Sequence, residues 1–192
     1  SYQWQVYDGS QWSNIGGEIN FTYSETNNNT SGVDLQKRYR VKVTDGSQTA
    51  YADEVTVTWR TALVAGSIIG ETTTYSGSSV TLTANPSGGD GNYTYQWQVS
   101  ENNSDWNDID GADFNSLVET GDNETEAPIT MYYRVVVFGD NQSDMSDVAA
   151  ITRRPSLKIG SIQPIGNSIV YGGDDVNLTV DAIGGDGTYS YQ

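Results

Sequence analysis

The segment Tyr2-Gln3-Trp4-Gln5-Val6 returns as Tyr95-Gln96-Trp97-Gln98-Val99, 93 positions later, and its first two residues return once more as Tyr191-Gln192. Further matches keep the same order. Trp12-Ser13-Asn14-Ile15-Gly16-Gly17 pairs with Trp106-Asn107-Asp108-Ile109-Asp110-Gly111, and Tyr39-Arg40-Val41-Lys42-Val43 with Tyr133-Arg134-Val135-Val136-Val137. Gly66-Ser67-Ile68 pairs with Gly160-Ser161-Ile162, and Gly88-Gly89-Asp90-Gly91 with Gly184-Gly185-Asp186-Gly187. Ordered matches at 93 to 96 residues mark a repeat of small, similarly folded units. Residues 1–60 read as the later part of one repeat, 61–154 as a complete repeat, and 155–192 as the opening part of the next. Thr61-Ala62-Leu63-Val64 and Arg153-Arg154-Pro155-Ser156 fall at the joints, and Pro155 stiffens the second. Joints this short predict a rod.

Within the complete repeat the apolar residues alternate with a period of two, the spacing of a half-buried strand. Val80, Leu82 and Ala84 alternate with Ser and Thr; Tyr93, Tyr95, Trp97 and Val99 alternate with Thr94, Gln96 and Gln98. The run from Met131 to Phe138 is apolar on both faces, but the sister copy resolves it. There, Tyr39, Val41 and Val43 alternate with Arg40 and Lys42, so Tyr133, Val135 and Val137 are expected inside and Arg134 outside. A last strand is expected to bury Val148 and Ala150, matched to Val55 and Val57. Turns are expected at Pro86-Ser87-Gly88-Gly89-Asp90-Gly91, read as a tight hairpin. No long stretch has helical periodicity. Six to eight short strands in two layers make an all-β, immunoglobulin-like β-sandwich, with Trp4, Trp97, Tyr39 and Tyr133 as the structural core.

Composition narrows the function. There is no cysteine and no histidine, which removes disulfides, thiolate sites, the serine triad and most zinc sites. A net charge of −16 disfavours nucleic acid and anionic membranes as partners. No apolar run approaches the roughly 20 residues of a membrane helix. The chain is therefore read as not an enzyme, with no catalytic residues and no cofactor expected beyond Ca²⁺.

The Gly-Gly-Asp-Gly and Tyr-Thr-Tyr-Gln-Trp-Gln of 88–98, the Trp-x-x-Ile-x-Gly block at 106–111 and Tyr-Tyr-Arg-Val-Val-Val at 132–137 resemble the tandem repeats of large Bacteroidota surface adhesins, including the SprB-type gliding-motility proteins. They are similar also to repeats of archaeal surface proteins. The resemblance implies immunoglobulin-like modules strung along an exported protein, at the cell surface, as stalk and adhesin.

Several residue groups are site candidates, each beside a plainer reading. Asn20, Asn28, Asn92, Asn102, Asn123, Asn141 and Asn177 stand in Asn-x-Ser/Thr sequons, as glycosylation sites or as unmodified polar loops. Asp53-Glu54, Asp108/Asp110 and Asp174-Asp175 are Ca²⁺ candidates or solvated turns, and none reproduces a known calcium loop. Trp12 and Trp106 are a sugar-stacking platform or, with Ile15 and Ile109 beside them, packing residues. Expected partners are neighbouring repeats, other copies joined head to tail by strand donation from 155–192, and a surface or glycan ligand. The reading is thus a non-catalytic extracellular region of an adhesin or fibre, acting as stalk and multivalent display. Its rival is a carbohydrate-binding accessory region of a secreted glycan-degrading enzyme.

Overall fold

The computed structural model describes residues 1–166 and 168–192, and among these every regular element is a β-strand. Among the described residues, no helix is long and apolar enough to cross a membrane. The chain divides into two compact units. One comprises residues 1–64 with 87–92 and 139–142; the other comprises 65–86, 93–138 and 143–192.

The first unit is one antiparallel sheet. It runs β2 (Trp12–Asn14), β1 (Tyr2–Tyr7), β3 (Leu35–Asp45) and β4 (Gln48–Tyr51), with β5 (Val55–Trp59) also on β3. In β1, Trp4 and Val6 stand opposite Val41 and Tyr39 of β3. Because side chains alternate across a strand, this register puts Trp4, Val6, Tyr39 and Val41 on one face. Gln5, Tyr7, Arg38, Arg40 and Lys42 fall on the other.

The second unit has two main sheets. Into it fall β6 (Ile68–Ile69), β7 (Thr73–Tyr75), β8 (Ser79–Ala84), β9 (Thr94–Ser100), β10 (Asn107–Asp108) and β11 (Ser116–Thr120). Then come β12 (Ile129–Gly139), β13 (Gln142–Met145) and β14 (Ala149–Arg154). One sheet is ordered β11-β8-β6; the other is ordered β10-β9-β12-β14-β7, with β13 on β12. The last strand, β7, lies parallel to β14. Sequential strands switching between two sheets in this order make an immunoglobulin-like sandwich without its disulfide. Val80, Leu82, Ala84 and Leu117 from one sheet, and Trp97, Tyr133, Val135, Val137 and Ile151 from the other, are its buried apolar core. Trp97 has no solvent exposure.

The two units share more than sequence. Trp97 stands opposite Val135 and Val99 opposite Tyr133, the register of Trp4 with Val41 and Val6 with Tyr39. The polar contacts recur as well. Trp4 Nε1 donates to Asn20 O at 3.0 Å, and Trp97 Nε1 to Phe114 O at 2.9 Å. Gln3 Nε2 donates to Trp4 O and Ile15 O, as Gln96 Nε2 does to Trp97 O and Ile109 O.

Three expectations are corrected. The last core strand buries Ile151 and Arg153, whereas Val148 is 43 % exposed and Ala150 is exposed too. Tyr39 pairs with Val55 but Tyr133 with Ala149, so the true counterparts of Val55 and Val57 are Ala149 and Ile151. Trp4 and Trp12 are one residue closer in sequence than Trp97 and Trp106, and this moves the correspondence by one from there on. A slip of one residue turns every side chain of a strand to the opposite face. Likewise Gly88-Gly89-Asp90-Gly91 is no hairpin: it joins β8 in one sheet to β9 in the other. In addition, the segment 61–154 holds nine strands rather than six to eight.

The repeated glycine turn has a steric reason. Gly88 has φ +76°, and a Cβ there would lie 2.0 Å from Ala62 O; at Gly184, φ +82°, it would lie 2.1 Å from Ser156 O. Gly89 N donates to Thr61 O, and Gly185 N to Pro155 O. Asp90 and Asp186 close their turns by accepting from the N–H two residues on. Leu63 and Ala65 are buried, and their N–H groups donate to Gln142 Oε1 and Asp144 Oδ2 respectively, at 2.9 Å each. Beyond β14, β15 (Lys158–Ile159) pairs with β18 (Ala182–Ile183), and β16 (Gln163–Pro164) with β17 (Leu178–Thr179).

Candidate functional site

The outer face of the first unit's sheet carries interleaved cations and rings. Strand alternation lines up Arg38, Arg40 and Lys42 on β3, and the register brings Tyr7 opposite Trp12 and Lys42 opposite Tyr51. The Arg38 guanidinium carbon lies 4.0 Å from the Tyr7 ring centroid and 5.9 Å from that of Trp12. Arg40 lies 4.3 Å from Trp12 and 4.4 Å from Tyr51. These are cation–π distances, and the order along the face is Tyr7, Arg38, Trp12, Arg40, Tyr51. Arg40 Nε donates to Gln5 Oε1 at 2.8 Å, and Gln5 Nε2 to Asn14 Oδ1, which fixes the guanidinium plane from below. Arg38 Nε is enclosed without a hydrogen bond, with Glu54 3.6 Å away as counter-charge.

The second unit repeats the centre of this arrangement and drops its flanks. Arg134 lies 4.2 Å from the Trp106 ring, and its Nε donates to Gln98 Oε1 at 2.7 Å. Ser100, Tyr132 and Val136 stand where the first unit has Tyr7, Arg38 and Lys42. Trp12 and Trp106 are thus not bare sugar platforms; each has an arginine over its ring. Sequence reasoning missed Tyr7, Arg38 and Tyr51. The available signal was the alternation Arg38-x-Arg40-x-Lys42 within an acidic chain.

On the inner face of the first unit, the Glu25 carboxylate accepts hydrogen bonds from Lys37, from Tyr39 Oη at 2.6 Å and from Tyr23 Oη at 2.7 Å. The Lys37 bond, followed by that of Tyr39, pulls the Glu25 pKa down to about 2. Tyr23 is pushed up to about 12 by burial and then by Glu25, and Tyr39 is raised for the same reasons. Tyr133 is raised by burial first and by the Glu119 charge second. Tyr23 stacks between Trp4 and Tyr39 at 5.7 Å to each, and Trp59 meets Tyr39 edge-on. This face is open where its counterpart is covered: Val57 is 36 % exposed, and Ile151 only 3 %. Trp4 is accordingly half-buried, although Tyr39 and Tyr133 are buried.

The remaining candidates are dispersed. Asn123 is 4 % exposed, and its Nδ2 donates to Ala127 O and Arg153 O, so that sequon is spent on structure. Asn20, Asn28, Asn92, Asn102, Asn141 and Asn177 are exposed. Asp108 accepts from Gln98, Glu54 faces Arg38, and Asp174 accepts the Tyr171 N–H. Asp53, Asp110 and Asp175 join none of these. Among the described residues, no three acidic side chains gather in a way that could hold a metal ion.

A family model described as a domain of unknown function, DUF8696, matches residues 64–155. A search of the curated proteins finds no match. Similar solved structures include the N-terminal four Ig domains of Dscam1 isoform 7.44, at 13 % identity and a TM-score of 0.37. That alignment covers 81 % of this chain and 37 % of the other. The FN1–FN3 domains of chicken CNTN1 align at 11 % identity and a TM-score of 0.34, over 94 % of this chain and 66 % of that one. Alignments this loose carry no argument about ligand or activity.

Proposed function

We propose that this chain is a non-catalytic, extracellular repeat region of a cell-surface adhesin or fibre, serving as stalk and multivalent display. The observation that carries the reading is the recurrence, about 94 residues apart, of one cross-strand register with its side-chain hydrogen bonds. A module copied in this detail, whose best-buried groups are packing residues, suits extension and display. Many weak contacts along such a series sum by avidity. Repeats 1–60, 61–154 and 155–192 are its units. The open inner face of the first unit is, on this reading, where strands of a neighbouring repeat or another copy pack. SprB-type adhesins of Bacteroidota, or archaeal surface proteins of similar build, are the class intended. Small-angle scattering on arrays of one, two and three copies of 61–154 tests the stalk. The maximum dimension should grow by a constant step per copy, and a growth that levels off would contradict it.

A further inference from the structure

We propose that the outer face of the first unit's sheet binds an acidic polysaccharide, with Arg38, Arg40 and Lys42 pairing to carboxylates and the flanks of Tyr7, Trp12 and Tyr51 packing on the sugar rings. The inference does not depend on the stalk reading.

Charge placement is the first argument. The chain has 9 lysines and arginines against 25 acids, yet three of those nine cations lie in one row on one face of β3. Residues two apart on a strand are about 6.7 Å apart, so the row is about 13 Å long. A row of like charges opposes itself and gains when a complementary row is laid along it.

The second unit is an internal control. It has the same register, the same Gln–Arg hydrogen bond and the same arginine over tryptophan, and it folds around a complete core. The fold therefore requires one arginine on this face and not three cations with two further rings. Arg38, Lys42, Tyr7 and Tyr51 exceed that requirement.

Geometry selects the ligand. Trp12 has guanidinium groups near its ring, so a neutral sugar cannot use it as a bare stacking platform. A guanidinium beside a ring can still hold a planar carboxylate by two parallel N–H bonds. A uronic-acid polymer supplies carboxylates on successive rings and apolar C–H faces for the exposed flanks of Tyr7, Trp12 and Tyr51. Nucleic acid is the poorer fit, because single-stranded bases stack on open aromatic faces, and the rings of Tyr7 and Trp12 have guanidinium groups over them.

The test is affinity electrophoresis and calorimetry of the whole chain with polygalacturonate and alginate, beside dextran and single-stranded DNA. The expected result is binding to the uronate polymers that weakens with salt and exceeds binding to dextran and DNA. Arg38→Gln/Arg40→Gln/Lys42→Gln should lower affinity at least about tenfold, and Arg154→Gln/Lys158→Gln, off this face, less than about twofold. Lys42→Glu, which touches none of the cation–π contacts, should weaken binding with an unchanged melting temperature, separating ligand loss from unfolding. No uronate binding, equal binding to dextran, a preference for DNA, or indifference to the triple substitution or to Lys42→Glu would each overturn the proposal.

Discussion

Tyr39 Oη donates to the Glu25 carboxylate at 2.6 Å, and 94 positions later Tyr133 lies under the charge of Glu119. The pair joins the late central strand to the segment that crosses the sandwich. In the second unit that segment is β11, paired along β8. In the first unit Tyr23 and Glu25 belong to no strand, yet both still reach Tyr39. The side-chain contact thus forms without the ladder.

The pair predicts a pH dependence. The Glu25 carboxyl is held below its ordinary 4.5, at about 2, so the folded state favours the charged form. Its stabilisation is complete above 4.5 and is lost as pH falls toward 2. Glu25→Gln should cost about 1–3 kcal/mol at neutral pH, with the difference from the parent closing over that acid range. Urea unfolding followed by tryptophan fluorescence at a series of pH values measures it. A difference independent of pH would sink the assignment.

Gly88 and Gly91 separate contact from conformation. Both have positive φ, but a Cβ meets Ala62 O at Gly88 and nothing within 4 Å at Gly91. Gly91→Ala should cost about 1–2 kcal/mol, the penalty of a left-handed residue. Gly88→Ala should cost clearly more, because backbone must move as well. Equal losses in chemical denaturation would mean that the close approach to Ala62 is absent.

Trp97 and Trp4 should respond unequally. Trp97→Ala removes a fully buried ring and leaves Phe114 O without its donor, for about 3–5 kcal/mol, enough to unfold a small sandwich. Trp4→Ala acts on a half-buried ring and should cost less. Calorimetry that finds a cooperative transition for Trp97→Ala near the parent temperature would contradict the core.

Asn123 should behave as a structural residue. Asn123→Ala removes the side-chain donor to Arg153 O in a buried site and one of the two side-chain donors to Ala127 O, the other being Thr125 Oγ1, at a cost of about 1–3 kcal/mol. Peptide mapping of native material should find Asn123 unmodified. A glycan at that position would require the loop to open.

Much of this fold was legible because the repeat is written twice. Met131 to Phe138 is apolar on both faces, and the arginine and lysine of the sister strand revealed which side is inward. The last strand was misread for a local reason: Val148 is β-branched and adjoins Ala149 and Ala150, so a valine-to-valine match looked natural. Only the pairing of Tyr133 with Ala149 exposes the shift. The buried Arg153 was equally hidden. A charged residue in place of Trp59 looks like surface, but its guanidinium donates to Tyr75 O and Ser78 O. The outer face was half legible. Its tryptophans stood out, whereas the cations that cover them came from a strand distant in sequence and became neighbours through register alone.

The recurrence of register is tested most directly by NMR, through cross-strand contacts between backbone protons. The account predicts them between Trp97 and Val135 and between Val99 and Tyr133, and again between Trp4 and Val41 and between Val6 and Tyr39. A one-residue offset in either set, or a set missing altogether, would contradict it.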